Sequence, residues 1–314
     1  MYIPAAKPTM YFIGVTTGKS SIMKVFPEWM KYFGIDAMIK GIDFLPHDDP
    51  QKYRDVVSFI KEDPKSLGAL ITTHKIDCFR ASREMFDDAD DYATLLGEAS
   101  SISKRGNQLW AHAKDPISSG LALEAFMPKQ HWIENPEATM LILGAGGSSL
   151  ALTLYLINKA KTSKDVPKNI IVTNRSEKRL NEMKLLHSRF DMPFTITYCL
   201  CPTEADNDKH VENLAEGSLI INATGLGKDG PGSPLTNDVL FPKNSYVWEF
   251  NYRGDLVFLE QAAAQKESRN LVIEDGWIYF IHGWTQVISE VFHIDIPSEG
   301  PTFEKLSDIA RSIR

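Results

Sequence analysis

The segment that points most clearly to a chemical function is a glycine turn between an apolar run and a helix-like segment. Residues 140–143 are Met-Leu-Ile-Leu, and the turn after them consists of Gly144, Ala145, Gly146 and Gly147. A strand, a glycine turn and a helix in this order favour dinucleotide binding, because glycines let backbone approach a pyrophosphate at the helix N-terminus. Ser149 replaces the third fingerprint glycine, while Ala151 is small enough for close helix–strand packing. A plain turn is the alternative interpretation.

The strand predicted next, at 169–173, ends in Asn174, Arg175 and Ser176 instead of an acidic residue. In a dinucleotide-binding unit an acid at this place holds the ribose 2′-hydroxyl of NAD, whereas arginine accommodates the 2′-phosphate of NADP. Arg175 offers paired planar donors, Ser176 a hydroxyl, and Arg179 follows about one helical turn later. A solvated basic loop is the alternative, but the position after the glycine turn favours NADP as cofactor over NAD.

The elements that must position these residues alternate between strand and helix signals. Before the glycine turn, strands are predicted at 10–16, 36–45, 68–73, 99–103 and 109–113, and helices at 20–33, 53–62 and 119–126. After 169–173, strands are predicted at 218–223 and 246–250, a loop at 228–242, and helices at 256–264, 279–292 and 303–313. This alternation predicts an α/β fold of two domains with a parallel sheet in each half. We expect the glycine turn to face a cleft between the domains.

Composition and charge exclude several classes of protein. The 314 residues are 43% hydrophobic and 24% charged, which is ordinary for a globular chain of about two domains. A net charge of −7 and the lack of a long apolar run argue against nucleic-acid and membrane partners. The N-terminus has no signal-peptide core, and the three Cys and eight His have no zinc-site spacing. We therefore expect a cytoplasmic protein with no bound metal.

The order of these segments resembles the shikimate/quinate dehydrogenase family over most of the chain. Residues 144–147 with Ala151 are similar to the family's G-A-G-G-x-x-x-A turn, and 174–176 to its N-R-T phosphate loop. Residues 222–227, which include Thr224 and Gly225, resemble its N-A-T-S-x-G segment. The resemblance implies cofactor contacts at all these positions.

The resemblance also implies that one domain binds the cofactor and the other binds the substrate. A Rossmann-type NADP-binding domain is expected at 118–282. An N-terminal α/β substrate-binding domain is expected at 1–117, and the C-terminal helices at 283–314 would complete it.

In the first domain the resemblance is partial. The family's N-V-T-I-P-x-K strand ends in its catalytic lysine and reads A-L-I-T-T-H-K here, so Lys75 is present while the asparagine and proline are not. The aspartate of the family's N-T-D-G segment falls at Asp115. The resemblance therefore implies that Lys75 and Asp115 are a proton-transfer pair. Burial of such a lysine is expected to lower its pKa, with the adjacent carboxylate offsetting part of the shift.

The family's substrate contacts are largely altered. The family has a loop with two serines, and Ile22 replaces the second of them. The position of the family's substrate-binding glutamine is occupied by Gly283. A site built to hydrogen-bond hydroxyls discriminates strongly, so these changes imply a substrate other than shikimate. The substrate-binding residues that the resemblance implies here are Ser20, Thr72, Ser100, Tyr252 and Gln286.

The expected function is reversible, NADP-dependent hydride transfer on a small cyclic hydroxy acid by a monomer or homodimer. One alternative is a catalytically silent NADP-binding protein with a sensory or scaffolding role. A second is the two-domain methylenetetrahydrofolate dehydrogenase type, which residues 222–227 and Asp115 fit less well.

Overall fold

The computed structural model describes residues 2–313, and the chain divides into two compact units. The first unit runs from the N-terminus to Asp115 and resumes at Ile281, while the second comprises Pro116–Phe280. Each unit contains one six-stranded sheet. The predicted α/β class with two domains is confirmed. The assignment of substrate binding to the first unit and cofactor binding to the second stays a prediction.

The first unit is built on a mixed sheet. Its strands are β1 (Thr9–Gly14), β2 (Met38–Asp43), β3 (Ser66–Ile71), β4 (Asp88–Ala89), β5 (Ser101–Arg105) and β6 (Gln108–His112). Their order is β2-β1-β3-β5-β6-β4, with β1, β2 and β3 parallel and the β5–β6 hairpin antiparallel beside β3. The prediction of a parallel sheet in this half is wrong, because the hairpin joins the same sheet.

Four helices follow these strands: α1 (Ile22–Phe33), α2 (Pro50–Glu62), α3 (Lys75–Ala81) and α4 (Asp91–Leu96). Helix α1 ends at Gly34, whose φ of 69° is a left-handed conformation that glycine adopts without strain. Helix α2 begins after Asp49, because the carboxylate of this residue accepts the N–H of Gln51. The buried faces of α2 and α3 contribute to a core that includes Tyr53, Val57, Ile60, Ile71, Cys78 and Phe79.

Strand ends from both halves of this sheet meet at one edge. The parallel strands β1, β2 and β3 all finish there. Strand β5 begins and β6 finishes at the same edge, because Ser101 pairs with Leu70 of β3 and with His112 of β6. Lys75 follows β3 and Asp115 follows β6, so the topology brings two residues from distant parts of the sequence together.

The second unit is built on a wholly parallel sheet. Its strands are β7 (Met140–Leu143), β8 (Asn169–Asn174), β9 (Thr195–Leu200), β10 (Leu219–Asn222), β11 (Tyr246–Glu249) and β12 (Val272–Glu274). They lie in the order β12-β11-β10-β7-β8-β9. Counted from β7, this is the strand order of the Rossmann dinucleotide-binding fold, read in reverse. The predicted Rossmann-type unit is confirmed.

The remaining helices are α5 (Asp115–Phe126), α6 (His131–Glu134), α7 (Gly147–Lys159), α8 (Glu177–His187), α9 (Glu204–Glu212), α10 (Val257–Ala263), α11 (Lys266–Arg269), α12 (Trp277–Phe292) and α13 (Pro301–Arg311). Helix α12 from Ile281 onward and all of α13 belong to the first unit. There the Trp284 ring meets Phe12 edge-on at 5.0 Å, and the indole N–H of Trp29 donates to the Leu306 carbonyl at 3.0 Å. The first contact packs α12 against β1, and the second ties α13 to α1.

None of the helices between residues 2 and 313 combines the length and the apolar character needed to cross a membrane. Over the same residues, no group of three or more His, Cys, Asp or Glu side chains is arranged to hold a metal ion. The three cysteines are free thiols.

Candidate functional site

Lys75 and Asp115 form an ion pair at the edge of the first sheet where the strand ends meet. The Nζ of Lys75 donates a hydrogen bond to Oδ2 of Asp115. Each is the first residue of its helix, α3 and α5, so the start of a helix fixes both backbones. Both side chains are 24% exposed, which leaves the pair accessible to a small molecule.

A third ionisable group, Glu98, belongs to this cluster and was not predicted. It follows Gly97, the left-handed residue that ends α4, and the next residue, Ala99, donates its N–H to the Lys75 carbonyl at 3.2 Å. Burial raises the pKa of Glu98 to about 7, while the charge of Lys75 opposes this rise and that of Asp115 adds to it. The signal in the sequence is a lone carboxylate between a glycine and an alanine.

The pKa of Lys75 is raised above its ordinary value. Burial by itself lowers this pKa, but the negative charges of Asp115 and Glu98 and the hydrogen bond to Asp115 together outweigh it. The expectation of a lowered pKa is therefore wrong in sign, because two carboxylates act on this lysine instead of one. Lys75 carries a proton at neutral pH.

Ser20 and Thr72 also lie near this edge. Ser20 follows a 3₁₀ turn at Thr17–Lys19, and its N–H donates to the Thr17 carbonyl at 3.0 Å. Thr72 comes directly after β3. The methyl groups of Thr17 and Thr72 converge on Gly14, where a Cβ would lie 2.9 and 3.0 Å from them. Ser20 and Thr72 are half-buried, and their predicted substrate contacts stay predictions.

Ser100 is buried, and its hydroxyl is hydrogen-bonded to the backbone. It is 2% exposed, and its hydroxyl accepts the N–H of Lys114 at 2.7 Å and donates to the His112 carbonyl at 3.4 Å. These bonds hold the segment that leads into Asp115. The predicted contact of Ser100 with substrate stays a prediction.

At two positions the polar side chain of the pattern that the sequence resembles is absent. Ile22 is fully buried in the core at the start of α1, so it offers no polar group to a ligand. At Gly283 on α12, an added Cβ would meet no atom within 4 Å. A core side chain and an open space therefore stand where the resemblance has a serine and a glutamine.

The two remaining predicted substrate residues lie in different units. Gln286 is half-buried on the part of α12 that belongs to the first unit. Tyr252 belongs to the second unit, where its ring lies 5.6 Å from that of Trp277 and 4.6 Å from that of Phe280. Both roles stay predictions.

In the second unit, the glycine turn lies between β7 and α7. Gly144 has a φ of 110°, and a Cβ there would come within 2.9 Å of the Ala223 carbonyl oxygen, so this position requires glycine. At Gly146 and Gly147 an added Cβ would meet nothing within 4 Å. This space, beside the free N–H groups that begin α7, suits a pyrophosphate. The buried hydroxyl of Ser149 donates to the Gly144 carbonyl at 2.6 Å and so stabilises the turn.

Asn174 connects the glycine turn to the basic loop after β8. Its Oδ1 accepts the N–H of Ala145 at 3.3 Å, and its Nδ2 donates to the Ser176 carbonyl at 3.1 Å. Arg179 is paired at 3.1 Å with a glutamate on its own helix. Arg175 is exposed and has no ion pair among residues 2–313. Arg175 is therefore the cation of this loop best able to meet a phosphate.

Polar side chains cluster at the ends of β10 and β11. The Oδ1 of Asn222 accepts the N–H and the hydroxyl of Thr224 at 3.0 and 2.6 Å, ahead of the exposed Gly225. The fully buried Glu249 accepts a hydrogen bond from Nδ2 of Asn222 at 2.5 Å. It also accepts from the backbone N–H of Asn251 at 2.8 Å and from Nδ2 of Asn251 at 2.6 Å. Burial raises the pKa of Glu249 to about 7 despite these donors. The network fixes the 222–227 turn beside Gly144.

No family model matches the chain. A curated relative, the shikimate dehydrogenase (NADP(+)) of Streptococcus thermophilus, is 25% identical over 167 residues, which are 53% of this chain and 53% of that protein. The chain thus spans about half the length of the curated relatives it matches.

Solved structures match over nearly the whole chain. A shikimate dehydrogenase in complex with NADP+ gives a TM-score of 0.73 at 18% identity and covers 99% of this chain and 97% of its own. The quinate dehydrogenase of Corynebacterium glutamicum in complex with NAD gives 0.72 at 16% identity, with 98% and 99% covered. At these identities the likeness is one of fold.

Proposed function

We propose that this chain, which is similar to shikimate and quinate dehydrogenases in sequence and fold, is a divergent member of their family and an NADP-dependent oxidoreductase. Its reaction would interconvert a hydroxyl and a carbonyl group of a small molecule. The observation that carries this proposal is the Lys75–Asp115 ion pair at the edge where the strands of the first sheet end. Proton transfer to and from an alcohol oxygen needs such a positioned, partly shielded acid–base group.

In this proposal Lys75 moves the proton. Because its pKa is raised, it holds the proton at neutral pH and donates it from Nζ to a carbonyl oxygen that becomes a hydroxyl. Asp115 accepts the hydrogen bond from Nζ and so fixes the direction of the ammonium. Oxidation needs the neutral amine and is favoured at alkaline pH. When bound, the nicotinamide nucleotide supplies or accepts the hydride.

Residues of the second unit fit a dinucleotide with a 2′-phosphate. The open space at Gly146 and Gly147 would take the pyrophosphate. Arg175, at the end of a strand without an acidic residue, would meet the 2′-phosphate. The turn that contains Thr224 and Gly225 would line the same nucleotide. These features favour NADP over NAD.

The substrate that we propose is a small, cyclic hydroxy acid other than shikimate. Ile22 is buried in the core, the hydroxyl of Ser100 is bonded to backbone, and Gly283 carries no side chain. Two of the polar side chains that the resemblance implies for binding ring substituents are thus absent, at positions 22 and 283, and the hydroxyl of Ser100 is already occupied. A site without those groups gains little from hydroxyls that they would otherwise bind.

The test is a screen of cyclic and acyclic hydroxy acids, including shikimate and quinate, with NADP and NAD, followed by the absorbance of the reduced nucleotide. We expect turnover with NADP. Lys75→Ala should lower it by about 10²–10⁴-fold, the usual contribution of a general acid–base group, while NADP still binds. Asp115→Asn should lower it less, because the lysine remains but is misplaced. Lys24→Ala, at an exposed position of the same unit, is the matched control.

Two outcomes would separate the candidate functions. If Lys75→Ala keeps near-normal turnover on the best substrate, the proton-transfer mechanism is wrong. If no alcohol or ketone reacts although NADP binds tightly, the chain is a silent NADP-binding protein. The buried Ile22 and the occupied hydroxyl of Ser100 are the observations that favour this second candidate.

A further inference from the structure

We propose that Glu98 is a positioning residue of the proton-transfer site, which keeps Lys75 protonated and so biases the site toward carbonyl reduction. The part of this inference that concerns turnover rests on the proposed function. The part that concerns the charge of Lys75 does not.

Backbone hydrogen bonds on both sides of Glu98 hold this residue in place. Gly97, with a φ of 64°, ends α4, and the N–H of Glu98 then donates to the Ala93 carbonyl at 3.2 Å. On the other side the N–H of Ala99 donates to the Lys75 carbonyl at 3.2 Å. The backbone at Glu98 is therefore tied both to α4 and to the first residue of α3, and the half-buried Glu98 side chain is close enough to Lys75 for their charges to interact.

The charges around Glu98 come from two other elements. Lys75 of α3 and Asp115 of α5 are the groups that act on it, whereas the neighbouring Lys114 is bonded to Glu290 at 2.8 Å. The cluster thus holds one ammonium and two carboxyl groups. When both carboxyl groups are ionised, its net charge is −1, and the partly buried Glu98 is the group whose charge is least favourable.

Glu98 makes the charge of the site depend on pH near neutrality. Burial raises its pKa to about 7, so it ionises in the pH range where the cluster would be used. Above that pH Lys75 faces two carboxylates and holds its proton more firmly. In reduction the Nζ–H bond breaks as the proton joins the substrate oxygen, and the amine then regains a proton from water. A second carboxylate favours this return to the ammonium and disfavours the neutral amine that oxidation requires.

The first experiment reads the charge of Lys75 without turnover. Only a neutral amine reacts with acetic anhydride, so the acetylation rate of Lys75 at a fixed pH, measured by mass spectrometry, reports its pKa. Glu98→Gln should raise this rate by about tenfold or more, the effect of removing one nearby opposite charge. Glu98→Asp keeps the charge and should stay close to the original rate. Glu304→Gln, at an exposed position on α13, should leave the rate unchanged.

The second experiment follows kcat and KM against pH in both directions on the best substrate found. Glu98→Gln should raise the ratio of oxidation to reduction rates by about tenfold at neutral pH and remove the inflection near pH 7, with KM little changed. An acetylation rate equal to that of the unaltered protein would overturn the role of Glu98 even if turnover is normal. A raised rate in a protein without turnover would support that role and reject the proposed function instead.

Discussion

Replacing Arg175 by alanine tests whether the loop after β8 selects NADP. The loop is held in place by Asn174, which binds Ala145 of the glycine turn through one side-chain atom and Ser176 through the other. Arg175 lies between these anchors, exposed and without an ion pair among residues 2–313. Its removal therefore deletes a charge without disturbing a contact that holds the loop.

The expected size of the effect follows from this environment. A hydrogen bond to a charged partner contributes about 1.5–3 kcal/mol, or roughly tenfold to a hundredfold in affinity. Solvent screens an exposed arginine, so the lower end of that range, about tenfold, is expected for NADP. The neighbouring Arg179 is already paired with Glu182 at 3.1 Å, and Arg179→Ala should have a smaller effect.

The assay is calorimetric titration of each variant with NADP and with NAD, and the quantity of interest is the ratio of the two dissociation constants. Arg175→Ala should weaken NADP binding and leave NAD binding nearly unchanged. Lys178→Ala, at a position 84% exposed on the same helix as Arg179, is the matched control. A ratio that does not change in Arg175→Ala would refute the assignment of this loop to the 2′-phosphate.

Two further predictions concern stability. His282 is 1% exposed and stacks on Phe303 at 4.4 Å, and within residues 2–313 neither ring nitrogen has a hydrogen-bond partner. Burial lowers its pKa to about 4, below the unfolded value of 6.5, so the folded state loses up to about 3 kcal/mol as the pH falls between these values. His282→Phe should flatten this loss in urea unfolding measured from pH 7 to 4, and an unaltered slope would contradict the reasoning. Gly144→Ala should lower the Tm because φ is 110° there, whereas Gly146→Ala, with a φ of −92°, should weaken nucleotide binding at an unchanged Tm.

Local patterns were enough to predict much of the fold. The β7–turn–α7 unit has a buried apolar strand and a glycine that the backbone requires, and both are visible in the sequence. Strands β5 and β6 were likewise predicted, at 99–103 and 109–113. Strand β9 and helix α8 were missed, because the edge strand is half-exposed and the helix is mostly charged, so neither has a clear apolar period. The mixed first sheet was also missed, since strand pairing depends on contacts between distant segments.

The candidate site was predictable to a similar degree. Resemblance identified Lys75 and Asp115, and the strand order explains why they meet. Resemblance could not identify Glu98, because its importance depends on the burial of its carboxyl group and on a backbone bond to Lys75. The predicted direction of the Lys75 pKa shift was wrong for the same reason. Electrostatics at a site is the sum of all nearby charges, and local sequence gives only some of them.

The loss of folding stability caused by the Lys75 cluster bears on the choice between an enzyme and a silent NADP-binding protein. The pKa of Glu98 is raised from 4.5 to about 7, so the unfolded chain releases this proton at a lower pH than the folded one. Stability from this group is therefore complete below pH 4.5 and is lost as the pH rises through 7. Partly buried charges of this kind can be replaced by apolar residues without loss of stability, so packing alone gives no reason for them.

The two positions where a polar ligand contact is absent carry no such cost in stability. Ile22 is an ordinary core residue, and Gly283 leaves open space without strain. A chain that had only to stay folded would be expected to simplify the charged cluster as well as the ligand contacts. Here the contacts are simplified while three ionisable groups remain together beside an accessible edge. This combination favours an enzyme with an altered substrate over a silent nucleotide-binding protein, since departures from the most stable arrangement are typical of functional sites.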